Sequence, residues 1–114
     1  MTKDVIVDDD ALRELERGAE WYEGQRAGLG DERLEEVDLV LSALPSGTLR
    51  SINVIVQRRG VSVRRVPVNR FPYAVIYIER EEQIDVVAIA HVKRRPLYWQ
   101  KRLRRVLRAA GETT

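Results

Sequence analysis

Apolar residues recur along this chain first at helical spacing, then at strand spacing, then at helical spacing again. Residues 3–7 open with a short Val/Ile-rich run, the composition of a strand. Asp8-Asp9-Asp10 offers an N-cap and negative charge for a first helical turn, where the helix dipole favours it. Ala11, Leu15, Ala19 and Tyr22 then follow at steps of four, four and three, with Leu12 widening the stripe, and predict a helix. Gly28-Leu29-Gly30 breaks it, and Asp31 is expected to cap a second helix in which Leu34, Val37, Leu41 and Leu44 form the apolar stripe. Pro45-Ser46-Gly47 stops that helix, so the two make an antiparallel hairpin with most of the acid on its outer face.

After this hairpin the period drops to two. Residues 52–57 and 61–68 read as strands joined by a tight turn at Arg58-Arg59-Gly60, and Pro67 predicts that the latter strand is an edge or is bulged there. Residues 73–79 and 84–92 are apolar on both faces, as central strands are, with a turn at 80–83. Pro96 fits the first turn of a C-terminal helix over about residues 96–110. Leu103, Val106, Leu107 and Ala110 give that helix its stripe, and Lys101, Arg102, Arg104, Arg105 and Arg108 fall mostly on its polar face. The element order predicts a single α+β domain over 1–114. It consists of an N-terminal strand and helical hairpin packed on a twisted, mainly antiparallel sheet, with a C-terminal helix.

Composition narrows the chemistry. The chain has no cysteine and one histidine, which removes disulfides, thiolate metal sites and His-rich clusters, and no cofactor is expected. The N-terminal residues lack an apolar signal segment, and no run approaches the roughly 18 apolar residues of a membrane span. A cytoplasmic protein without membrane contact is expected. Charge changes the picture more. Residues 1–47 hold 5 Lys/Arg against 13 Asp/Glu, net −8, and residues 48–114 hold 15 against 5, net +10. Such asymmetry predicts that one face meets a polyanion or a strongly acidic partner, unless the halves pair in the fold.

Three blocks resemble a known family. Arg64-Arg65-Val66-Pro67-Val68-Asn69-Arg70-Phe71-Pro72-Tyr73, continued by Ala74-Val75-Ile76-Tyr77, resembles the central block of ParE-type toxins. Val87-Ala88-Ile89-Ala90-His91, then Arg94, Pro96, Tyr98-Trp99 and Arg102, resembles their closing block. Upstream, Ala19, Trp21-Tyr22-Glu23 and Gly28-Leu29-Gly30 fall where that family has its hairpin. The match covers roughly residues 4–102 and is to the RelE/ParE superfamily of bacterial type II toxin-antitoxin (plasmid stabilization) systems. The chain departs from the pattern in the apolar stretch 48–57 and in the basic helix beyond Arg102.

The resemblance implies a toxin bound and neutralised by a cognate antitoxin, as a hetero-oligomer, and acting on either of two targets. ParE-like members poison DNA gyrase. RelE-like members cut mRNA on the ribosome, which needs a base, an acid and cations on the phosphate. The RelE-like arginine of the third strand falls near Ala74, and a second upstream cation falls near Pro67. A nuclease set of Arg65, His91, Arg94 and Tyr98 therefore remains as the alternative, and a gyrase-binding toxin without chemistry is the preferred reading. Target-binding candidates are Arg64, Arg65, Arg70, Lys93, Arg94, Arg95, Tyr98 and Trp99. Of Arg64 and Arg65, strand alternation allows only one on the functional surface. His91, sharing a strand face with Val87 and Ile89, also reads as a structural histidine bonded to backbone, and Tyr98-Trp99 also read as core anchors. Lys93-Arg94-Arg95 directly precedes the expected helix N-terminus, where cations oppose the dipole, which predicts an anionic partner. A second alternative is a non-toxic nucleic-acid-binding module using the basic C-terminal helix.

Overall fold

The computed structural model describes residues 3–58 and 61–109. The elements are β1 (Asp4–Val7), α1 (Asp9–Gln25), α2 (Leu29–Ala43), a 3-10 turn (Leu44–Ser46), β2 (Ile52–Arg58), β3 (Val61–Pro67), β4 (Tyr73–Glu79), β5 (Gln83–His91) and α3 (Gln100–Ala109). They form one five-stranded sheet in the order β1-β5-β4-β3-β2, antiparallel except for the parallel β1–β5 pair. The expected α+β architecture is therefore present. Among the described residues no helix is long and apolar enough to cross a membrane.

The sheet is covered on both faces, which is why β4 and β5 lack an alternating polar face. On one side the α1–α2 hairpin buries Ala11, Val37, Val40 and Leu44 against Val66, Val75, Tyr77, Ile84, Val86 and Ile89. On the other, α3 brings Leu103, Val106 and Leu107, with Trp99, onto Val63, Ala74, Ile76, Ile78, Val87, Ala88 and Ala90. Ile76 pairs with Ala88 but Tyr77 with Val86, so Val87 is an extra residue in β5. That bulge sends Val87 and Ala88 to the same side and puts Val87 opposite Ile89. His91 therefore shares its face with Ile89 and not with Val87, contrary to the expectation from strict alternation.

Three boundaries differ from the periodicity. Gly28, at φ +88°, occupies the N-cap position of α2, so Asp31 lies in the first turn and is not the cap. The cap is supplied from α1, where the Glu23 carboxylate accepts from Gly28 N at 2.9 Å and Gly30 N at 3.1 Å. Gly30 lies inside α2, and it is a glycine because the hairpin closes tightly there: a Cβ would stand 2.5 Å from the Ala19 carbonyl oxygen. The C-terminal helix begins at Gln100, not at Pro96. Tyr98 and Trp99 lie in successive turns closed by the Arg94 N–His91 O, Tyr98 N–Arg95 O and Gln100 N–Leu97 O bonds. Finally, β3 is an interior strand without a bulge, the β2–β3 irregularity falling at Val54/Gln57 of β2. Pro67 is tolerated because β2 pairing ends at Arg65 while Val68 N turns to Tyr73 O, leaving the proline nitrogen on the unpaired side. Arg59 and Gly60 of the expected tight turn, and Ala110 of the last apolar stripe, lie outside the described residues.

Candidate functional site

Cross-strand pairing decides which cations share a surface. Arg65 pairs with Ile76, on the α3 side of the sheet, and Arg64 pairs with Tyr77, on the hairpin side. Arg64 Nε donates to Ser51 Oγ at 2.7 Å. Arg70 also turns to the hairpin, in a left-handed backbone conformation at φ +71°, bonding Glu32 at 2.7 Å and approaching Glu36 at 3.6 Å. Of the two adjacent arginines only Arg65 reaches the α3 side, where α3 leaves one end of the sheet uncovered.

At that uncovered end lies a cavity of about 260 Å³. Ile76, Ala90, Leu97 and Trp99 give it apolar walls, and Arg65, Arg94 and Arg95 stand around it. The turns between β5 and α3 hold Arg94 with its guanidinium 3.9 Å from the Tyr98 ring centre. Leu97 adopts φ +61°, a conformation that costs a side-chain-bearing residue about 1 kcal/mol, and packs against the α3-side core. Trp99 is 3% exposed and anchors that core, while Lys93 is exposed.

The four side chains of the nuclease set, Arg65, His91, Arg94 and Tyr98, all border this cavity, but the two that would move protons are held by other groups. His91 borders the cavity, but its strand partner is Tyr73 on the hairpin side, and the two rings meet edge to face at 5.0 Å. Its Nδ1 accepts the Lys93 backbone N–H at 3.0 Å, the structural role considered for it from the sequence. Tyr98 gives its hydroxyl proton in a short hydrogen bond to Glu14 Oε2. Burial, then that bond to a carboxylate, push its pKa well above the usual tyrosine value of 10. A phenol so held is a poor general acid. Arg65, Arg94 and Arg95 also stand beside the apolar hollow, an arrangement suited to holding anions.

Glu14 is the residue that sequence reasoning passed over. Its carboxylate accepts four bonds: Ile89 N at 3.0 Å, Arg102 Nη1 and Nη2 at 2.9 Å each, and the Tyr98 hydroxyl. Arg102 Nη1 also donates to Val87 O at 3.1 Å. The reason lies in the sheet. The β1–β5 register ends at Val7↔Val86, and the chain leaves for α1 as Asp8 N bonds Val86 O. Beyond that point the outer edge of β5 has no strand beside it among the described residues, and Glu14 with Arg102 satisfies its backbone groups instead. Arg105 adds bonds to Asp8 at 2.7 Å and Asp10 at 2.8 Å. The one legible hint was Glu14 standing one turn after Asp10, on the same face of α1.

Arg33 was also unforeseen. Fully buried, it donates to the backbone carbonyls of Leu15 at 2.7 Å and Glu14 at 3.4 Å and lies 4.2 Å from the Tyr73 ring centre. No group of three or more metal-ligating residues is found among the described residues.

No protein-family model and no curated protein matches the chain. Among solved structures, a chain described as belonging to the chromosomal ParDE TA system from P. aeruginosa has a TM-score of 0.65 to this one at 12% sequence identity. The likeness covers 81% of this chain and 98% of that one. It is a likeness of fold: a mixed sheet carrying a helical hairpin and a C-terminal helix, consistent with a ParE-like toxin fold.

Proposed function

We propose that this chain is the toxin of a type II toxin-antitoxin system, ParE-like in action: it binds and poisons DNA gyrase in the bacterial cytoplasm and is neutralised by a cognate antitoxin. The observation that carries this reading over the nuclease is that the Tyr98 proton is committed to Glu14 and His91 Nδ1 to the Lys93 backbone N–H, although both side chains border the cavity. With both proton-carrying groups so engaged, the cationic hollow reads as a binding surface. The fold likeness to a chain of a ParDE system supports the toxin class, and the three sequence blocks support the branch.

Ribosome-dependent RNA cleavage stays as the second reading because Arg65 and Arg94 do line one cavity, as a phosphate clamp would. A bare nucleic-acid module is less well supported, since Arg102 and Arg105 of α3 are engaged by Glu14, Asp8 and Asp10. Pulse labelling after induced expression tests the choice. DNA synthesis is expected to fall before protein synthesis, with growth restored by co-expressing the small acidic protein of the adjacent gene. Protein synthesis falling first, with transcripts cut inside their coding regions, would overturn it.

A further inference from the structure

We infer that the cavity beside Arg65 and Arg94 is a socket for an acidic peptide segment of a partner protein, one that inserts a single large apolar side chain and sets carboxylates on the arginine rim. That the partner is the antitoxin rests on the function proposed above; the socket itself rests on the following observations.

Its walls are Ile76, Ala90, Leu97 and Trp99, and its volume of about 260 Å³ falls below the roughly 300–1,000 Å³ of small-molecule sites while holding one side chain with ease. No carboxylate is among the lining residues. Arg65, Arg94 and Arg95 make no ion pair among the described residues, whereas Arg70, Arg80, Arg102 and Arg105 each have a carboxylate partner. Unmatched cations around an apolar hollow call for the complementary pattern, an apolar anchor flanked by Asp or Glu, which is also the chemistry of an interface hot spot. Single-stranded nucleic acid fits less well because it needs open aromatic faces for its bases. Here Trp99 is 3% exposed, and Arg94 covers the Tyr98 ring at 3.9 Å.

The test is fluorescence anisotropy with the full chain and a labelled peptide, Gly-Asp-Glu-Phe-Glu-Asp-Gly, beside the same peptide carrying Ala for Phe and an oligouridylate of equal charge. The Phe peptide is expected to bind at least about tenfold more tightly than the Ala peptide. Arg94→Gln and Arg65→Gln should each weaken it by about fivefold or more, and Ala90→Leu, which fills the hollow, should abolish it in a protein that keeps its circular dichroism. Should Ala90→Leu fail to fold, Arg94→Gln and the Phe/Ala peptide pair still decide. Equal binding of the two peptides, no effect of Arg94→Gln, or tighter binding of the oligouridylate would overturn the socket. Growth arrest separates this from the function above. A chain that takes the peptide yet arrests no growth keeps the socket and loses the toxin reading, and arrest without peptide binding does the reverse.

Discussion

Arg33 sits at 0% exposure without a carboxylate partner among the described residues, and its Nε has no hydrogen-bond acceptor there. Two backbone carbonyls of α1 and the face of Tyr73 are what hold its charge. The guanidinium fits only because residue 18 is glycine: a Cβ there would come within 2.2 Å of Arg33 Nη2. Gly18→Ala is therefore expected to cost roughly 2 kcal/mol. Arg33→Met, which keeps the length and removes the buried charge, should lie within about 1 kcal/mol of wild type. In the Arg33→Met background most of the Gly18→Ala penalty should vanish, so urea unfolding of the four proteins gives a non-additive cycle; additive penalties would refute the contact. None of this was legible beforehand. An arginine beside a leucine stripe reads as outward-facing, and Arg33, Val37, Val40 and Leu44 turned out to be the inner line, with Leu34 and Leu41 half-buried at its flank.

At the scale of elements, α3 is held to the rest of the chain at the edge of β5 by Glu14, Tyr98 and Arg102. Glu14→Gln keeps the shape but removes the charge from a largely buried pair, and is expected to lower stability by about 3 kcal/mol. Amide exchange in α3 should rise more than in α1 or β4. The outer part of this junction is pH-sensitive. The hydrogen bond from Arg105, and the charges of Arg105 and Arg102, hold the Asp10 carboxyl below its ordinary value of 3.8. A carboxyl whose folded pKa is lowered contributes stability that is complete above its unfolded value and lost as pH falls through the folded one. Asp10→Asn should therefore lower thermal stability between pH 6 and 8 and shrink the further loss below about pH 4, where the wild type gives up the same contribution. An acid limb identical to wild type would contradict this. The strand pattern and the stripe of α1 were readable from periodicity, whereas that of α2 was read about one position round the helix. The start of α1, capped by Asp8, was readable too, but those of α2 and α3 were not; the α2 cap comes from Glu23 on the preceding helix. The β5 bulge escaped too, since an apolar run on both faces carries no alternation from which an extra residue can be noticed.

Over the whole molecule, much of the opposition between an acidic first half and a basic second half is resolved inside the fold. Arg102 and Arg105 meet Glu14, Asp8 and Asp10, and Arg70 meets Glu32 and Glu36. The charge count could not show this, because pairing depends on α3 crossing to the face opposite the hairpin and reaching round the sheet edge. What pairing leaves over is informative: Arg65, Arg94 and Arg95 around an apolar hollow, with His91 at its border bonded to backbone and Tyr98 bonded to Glu14. Of the candidates offered by the family blocks, Arg65, Arg94, Tyr98 and Trp99 line one cavity, while Arg64 and Arg70 lie on the hairpin side. On the function proposed above, such a surface would act by occupancy, so inhibition should saturate near one chain per target site and should not grow with time as turnover would. The most direct measurement is a gyrase supercoiling assay in which the chain is titrated and trapped cleavage complexes are counted, beside a translation reaction given the same protein. The account predicts cleavage complexes that accumulate to a plateau set by stoichiometry, with transcripts left intact. Unaffected supercoiling, with transcripts cut at the ribosomal A site, would contradict it.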